Sequence, residues 1–115
     1  MKRLIKFEYG FDSVNGIIKK VYELHEIPNI KEKCDVWGVL PIKYVRQFTG
    51  LTDKNGREVY DGDIVSDSYE GIYTIRFIDC NCHLIDKFGD KYIYNNSKNH
   101  LLSIVGNTHE NPELL

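Results

Sequence analysis

Two groups of side chains have the types that metal or acid–base chemistry uses. The first is Cys80, Cys82 and His83: two thiols and an imidazole within four positions. A tetrahedral zinc site takes four ligands, usually with cysteine pairs about two to four residues apart. Cys-x-Cys is tighter than that, no second pair exists, and Cys34 stands alone. On a strand Cys80 and Cys82 share a face while His83 points to the other side. The spacing therefore predicts structural thiols and no metal site. The second group is Glu58, Asp61, Asp63 and Asp67, carboxylates of the kind that do acid–base work or hold a divalent ion. Here the backbone reading is stronger. Asp61-Gly62 is turn chemistry, and Asp63 is placed to accept a backbone hydrogen bond beside a bend. No histidine lies near them. Neither a phosphate-cradling glycine loop nor a Gly-x-Ser-x-Gly elbow occurs. The sequence thus predicts no catalytic residue, no cofactor and no enzyme.

A third group could bind rather than react. Small β-barrels hold single-stranded nucleic acid through aromatic and basic residues on one sheet face. Tyr44, Arg46 and Phe48 share a strand face, and Arg57, Tyr60, Tyr73 and Arg76 are candidate neighbours. Tyr44, Arg46, Arg57, Tyr73 and Arg76 form the candidate binding surface. The competing reading makes Phe48 and Tyr60 core and Arg46 a solvated edge. The charge balance favours the competitor: 15 basic against 17 acidic residues, formal net charge −2, offers no global attraction to phosphate.

The elements that must position these residues centre on Arg46–Val65, RQFTGLTDKNGREVYDGDIV. Tyr44–Thr49 alternates with a period of two and reads as a strand that Gly50 ends. In Thr52–Gly56, Asp53 can accept a hydrogen bond from the N–H two residues on, and Asn55-Gly56 tolerates positive φ. Val59 and Tyr60 resume a strand, Asp61-Gly62 turns again, and Asp63-Ile64-Val65 starts the next. Two tight turns so close together mean short, sharply bent strands, as at the corners of small barrels.

This stretch resembles the signature of the YopX family of small phage and prophage proteins. The matching residues are Thr49-Gly50-Leu51, Asp53, Asn55-Gly56, Tyr60 and Gly62-Asp63-Ile64-Val65, with Phe48 where tyrosine is more usual. The segment Gly106-Asn107-Thr108-His109-Glu110-Asn111-Pro112-Glu113-Leu114-Leu115 resembles the family's closing motif. The resemblance spans the C-terminal two thirds and is loose over the first forty residues. It implies a fold and a phage origin more than an activity. Gly50, Asp53, Asn55, Gly56, Tyr60, Gly62 and Asp63 are read as a structural motif.

The rest of the chain is compatible with one small β protein. Lys2–Phe11 alternates, Asp12–Gly16 is a turn with an Asn-Gly hairpin signal, and Ile17–Leu24 is the return strand. Pro28 and Pro41 break the connector His25–Pro41, where Trp37 is expected to pack as an anchor. Strands are expected at Ile72–Ile78, Cys82–Ile85, Lys91–Tyr94 and Leu101–Val105, with a polar loop at Asn95–His100. Asn111-Pro112 reads as the start of a single helical turn.

The expected fold is mainly β: an SH3-like β-barrel over residues 44–115, preceded by a β-hairpin arm and Pro-broken connector over residues 1–43. Eight tyrosines and five phenylalanines against one methionine fit that class. No run of about 18 apolar residues exists to span a membrane. Three cysteines form no disulfide framework, which suits a reducing host cytoplasm. The expected function is a non-enzymatic binding or assembly module that contacts another protein or itself, with single-stranded nucleic acid as the alternative. A metal-dependent hydrolase is the remote third reading. Self-association would use the arm, whose Ile5, Phe7, Tyr9, Ile17, Val21 and Leu24 are too apolar for an isolated hairpin.

Overall fold

The computed structural model describes residues 5–29, 39–67, 71–78, 81–94 and 101–115. Nine strands run through them: β1 (Lys6–Ser13), β2 (Gly16–Glu23), β3 (Ile42–Thr52), β4 (Glu58–Tyr60), β5 (Asp63–Ser66), β6 (Ile72–Ile78), β7 (Asn81–Ile85), β8 (Lys91–Ile93) and β9 (Ser103–Asn107). The protein is mainly β, as its composition predicts. Its strands form two antiparallel sheets, and no closed barrel is found among the described residues. The two-residue turn at Asp61-Gly62 does not close a hairpin. It delivers β4 to one sheet and β5 to the other. Trp37, Cys34, Cys80 and the loop expected at 95–100 lie outside the described residues.

The chain divides into two compact units, Met1–Phe48 and Thr49–Leu115. The division falls within β3, five residues beyond the 43/44 boundary expected from sequence. Strand β3 is also longer than the Tyr44–Thr49 predicted, because Gly50 does not end it. Gly50 takes φ 88° and the strand continues to Thr52.

In the first unit β1 and β2 form the expected hairpin, with Ser13 opposite Gly16. The central turn residues are therefore Val14 and Asn15, one position earlier than an Asn15-Gly16 turn. Ser13 fixes that frame: its hydroxyl donates to the Gly16 carbonyl at 2.6 Å and accepts from the Asn15 N–H at 3.3 Å. The hairpin is not an open arm. The other edge of β1 pairs with β3, from Phe7 opposite Gln47 to Phe11 opposite Ile42, with a bulge at Gly10/Phe11. Phe11 and Tyr22 are its buried aromatic centre, with Tyr9, Ile18, Ile27 and Leu40 against them. Tyr9 meets Tyr22 edge-on at 5.8 Å, an arrangement that suits the ring quadrupoles. Gly10 has no side chain because the Tyr44 ring lies where one would be.

In the second unit the five-stranded sheet has the order β8-β7-β6-β5-β9. Cross-strand partners share a face, so the pairs Ile75–Leu84 and Leu84–Tyr92, with Phe77–Cys82, line up on one side. That side carries the core: Val59, Val65, Ile75, Cys82, Leu84, Tyr94 and Leu102, with Leu51, Tyr73, Phe77 and Ile104 packed against it.

Candidate functional site

The residues expected to form one binding surface are divided between the two units. Arg46 is 7% exposed and Tyr44 5% exposed, both in the first unit. Glu8, opposite Arg46 in the β1–β3 register, is 8% exposed. Its Oε1 accepts from the Tyr44 hydroxyl at 2.8 Å and from Arg46 Nε at 3.1 Å. Arg46 is therefore not the solvated edge of the competing reading. It is half of a buried ion pair whose partner lies 38 positions away in sequence. A period-two reading cannot find that counter-charge, because only the register brings Glu8 opposite Arg46. Phe48 and Tyr60 are buried, as the core reading requires.

Arg57, Tyr73 and Arg76 belong to the second unit. Arg57 is exposed at the turn before β4. Tyr73 and Arg76 stand on opposite faces of β6, since they are an odd number of positions apart. Arg76 is exposed, with its Nε 3.4 Å from Asp61 Oδ1.

The acidic run works on backbone and neighbouring hydroxyls. Asp63 accepts from the Tyr60 N–H at 2.8 Å and Asp61 from the Phe77 N–H at 2.9 Å. Glu58 accepts from the Tyr60 hydroxyl at 3.3 Å. Cys82 is buried in the core, and His83 follows it on the opposite face of β7. Outside these groups, Glu23, His25 and Glu26 bring three ligand atoms within 4.8 Å. His25 Nδ1 lies 3.4 Å from Glu23 Oε2, and Glu26 Oε1 accepts from the Glu23 N–H at 3.0 Å, so contacts within the chain account for this half-exposed cluster.

The two sequence motifs meet in the structure. Asp63 lies opposite Asn107 and Ile64 opposite Gly106 in the β5–β9 ladder. Asp53, 3% exposed, joins them. Its Oδ1 accepts from the N–H groups of Asn55 and Arg57, both at 2.9 Å, and its Oδ2 from the Ile104 N–H at 3.0 Å. Burial raises its pKa, but those three hydrogen bonds and the Arg57 charge outweigh it and hold the carboxyl below its usual 3.8. Gly62, at φ 89°, donates to the Ile75 carbonyl and accepts from the Thr108 N–H, both at 2.8 Å. Asn107 Oδ1 accepts from the N–H groups of His109 and Glu110 at 3.0 and 2.9 Å. Asn111, expected to cap the last helical turn, instead accepts from the Asn107 N–H at 3.2 Å and makes no side-chain cap bond.

Two hollows among the described residues lie around Tyr73 and Tyr92. The two tyrosine rings meet edge to face at 6.3 Å. Each hydroxyl donates to a carboxylate: Tyr73 to Asp67 Oδ2 at 3.1 Å, Tyr92 to Asp86 Oδ2 at 3.2 Å. The turns hold both carboxylates in place. Asp67 Oδ1 accepts from the Gly71 N–H at 2.7 Å, and Asp86 Oδ1 from the N–H groups of Phe88 and Asp90, both at 2.9 Å. Burial, then the Asp67 hydrogen bond, pushes the Tyr73 phenol above its usual pKa. The hydrogen bond to Asp86 and that group's charge do the same for Tyr92. A hollow of about 250 Å³ is lined by Asp67, Tyr73, Leu84, Tyr92, Leu101 and Leu102. A larger one of about 400 Å³ also touches Tyr73, with Ile72, Phe88, Leu114 and Leu115 among its walls. Of the five candidate residues, only Tyr73 lines these hollows. Tyr92, Asp86 and Phe88 were missed because a Tyr–Asp pair six positions apart becomes a signal only once the β7–β8 turn is known.

This is a small two-sheet β protein whose recurrent motifs build its corners and whose described surface offers hollows of side-chain size. The chain belongs to the YopX family: the family model, described as YopX protein, matches residues 8–115. The match extends well beyond the two thirds that the motifs cover and takes in most of β1 and all of β2. No curated protein matches the sequence.

Proposed function

We propose that this chain is a non-enzymatic binding module, a phage-encoded accessory protein of the host cytoplasm. It works by docking another protein on the Tyr73–Tyr92 face of its second unit. The observation that carries this reading is the pair of hollows that share Tyr73, the smaller lined also by Tyr92, Leu84 and Leu102 and the larger by Ile72, Phe88, Leu114 and Leu115. The smaller, about 250 Å³, falls below the about 300–1,000 Å³ typical of small-molecule sites, and the larger, about 400 Å³, lies in the lower part of that range. They suit side chains of a partner better than a cofactor. Phe88 stands 79% exposed among their lining residues, and Tyr92, Leu101 and Leu115 are exposed as well. Exposed aromatic and aliphatic groups around a concavity mark protein contact surfaces. Asp67 and Asp86 at the same place disfavour a phosphate backbone.

Site-specific photo-crosslinking tests this reading in host cells carrying the phage. A benzophenone amino acid at position 88 should capture a discrete protein, and one at exposed Val14 in the first unit should not. A cross-link between two copies through position 88 would identify the partner as the chain itself. Adducts from position 14 alone, nucleic-acid adducts at 88, or no adduct from either would overturn it.

A further inference from the structure

Building on that docking face, we infer that the smaller hollow recognises a cationic side chain, an arginine or lysine of the partner, and that the larger hollow takes an apolar neighbour. The two tyrosines form two walls of a cation site. A cation within about 6 Å of a ring face is attracted by the ring quadrupole. A phenol that donates to a carboxylate puts more electron density on its ring, and here both phenols do so. The remaining walls, Leu84, Leu101 and Leu102, keep water from the aliphatic stem of such a side chain. Among the described residues lining the smaller hollow, the charged one is the acidic Asp67. Among those lining the larger, the basic one is Lys87, whose ammonium lies 5.1 Å from the Phe88 ring centre. The smaller hollow offers two aromatic walls and the Asp67 carboxylate. The larger shares Tyr73, and there Asp86 is offset in charge by Lys87, so Ile72, Phe88, Leu114 and Leu115 leave it mainly apolar. A segment with a cationic residue near an apolar one fits both at once.

The test is a nitrogen-15 NMR titration of the full chain with three probes: acetyl-Arg-Leu-amide, its citrulline analogue and its glutamate analogue. Citrulline keeps the shape of arginine and loses the charge. The arginine probe should shift residues 71–73, 84–88 and 92 and bind roughly threefold to thirtyfold more tightly than the citrulline probe. The glutamate probe should be weakest. Tyr92, 45% exposed, tolerates change. Tyr92→Leu should reduce arginine to the citrulline level, and Tyr92→Phe, which keeps a ring, should lose less. Spectra unchanged outside this face show that the variants fold. Equal binding of arginine and citrulline, or shifts confined to other residues, would overturn the inference. So would displacement of the arginine probe by an oligothymidylate. If position 88 cross-links a protein but arginine shows no preference, only the ligand class fails. If nothing cross-links there, the docking reading itself fails.

Discussion

Replacing Asp53 by alanine should destabilise the second unit more than any other single change to an acidic residue there. The carboxylate makes three hydrogen bonds to backbone N–H groups, on Asn55, Arg57 and Ile104. Bonds to a charged acceptor contribute about 1.5–3 kcal/mol each in mutational series. Asn55 and Arg57 are exposed, so water takes over their N–H groups in the variant. Ile104 is only half-exposed, and an unsatisfied N–H there costs about 1–3 kcal/mol. The net loss is about 2–4 kcal/mol, which lowers the melting temperature on the order of 10–30 °C in a domain this small. The sign with pH is fixed by the depressed pKa. Asp53 stabilises the fold above its ordinary value of 3.8, and that contribution disappears as the pH falls through the lower folded-state value. Thermal unfolding followed by circular dichroism at pH 7 and in a series down to pH 2 measures both effects. Wild type and Asp53→Ala should differ widely at pH 7 and converge in acid. Asp53→Asn retains an oxygen for the turn but places an amide donor against Ile104, so it should fall between them. A variant within about 0.5 kcal/mol of wild type at pH 7 would refute the reasoning.

Other expectations follow from the same geometry. Glu8→Ala should cost at least about 1.5–3 kcal/mol by removing the buried carboxylate that Arg46 and Tyr44 share. The double variant Glu8→Leu/Arg46→Met should recover much of that loss in urea unfolding, and a double variant worse than the single would show that the pair does not act as a unit. Gly62→Val should cost about 1–3 kcal/mol, because Gly62 has φ 89° and a Cβ there would lie 3.1 Å from Thr108 Oγ1. Near-wild-type melting would remove the motif's structural role. Burial, then the proximity of Cys82 and Asp53, pushes the Tyr94 phenol up to about 12. Its stabilising effect is complete below pH 10, the ordinary tyrosine value, and is lost as the pH rises through 12. Tyr94→Phe should therefore flatten the alkaline limb of the stability curve, and an unchanged limb would assign it to other groups.

The turns were the most legible part of the sequence because their signals are local. Asp53 bonding two residues on, and positive φ at Gly56 and Gly62, follow from residue type and spacing alone. The same local logic overreached at Gly50, where a positive φ is accommodated inside a strand. It also suggested a barrel, since bent strands and corner glycines serve open sheets equally well. Long-range pairing was not legible. Glu8 opposite Arg46 and Asp63 opposite Asn107 depend on register, and no periodicity within one strand encodes its partner. The surroundings of Tyr73 were illegible for the same reason: Tyr73 was among the expected residues, but its companion Tyr92 reaches it only through the strand order β8-β7-β6.

The central claim is that the Tyr73–Tyr92 face is where a partner docks. Hydrogen exchange read by mass spectrometry, on the full chain with and without the protein captured at position 88, tests it directly. Docking at this face should slow exchange at residues 71–73, 84–88 and 92–93 and leave 16–23 unchanged. Protection confined to 16–23, the edge strand β2, with none around Tyr73 and Tyr92, would contradict it.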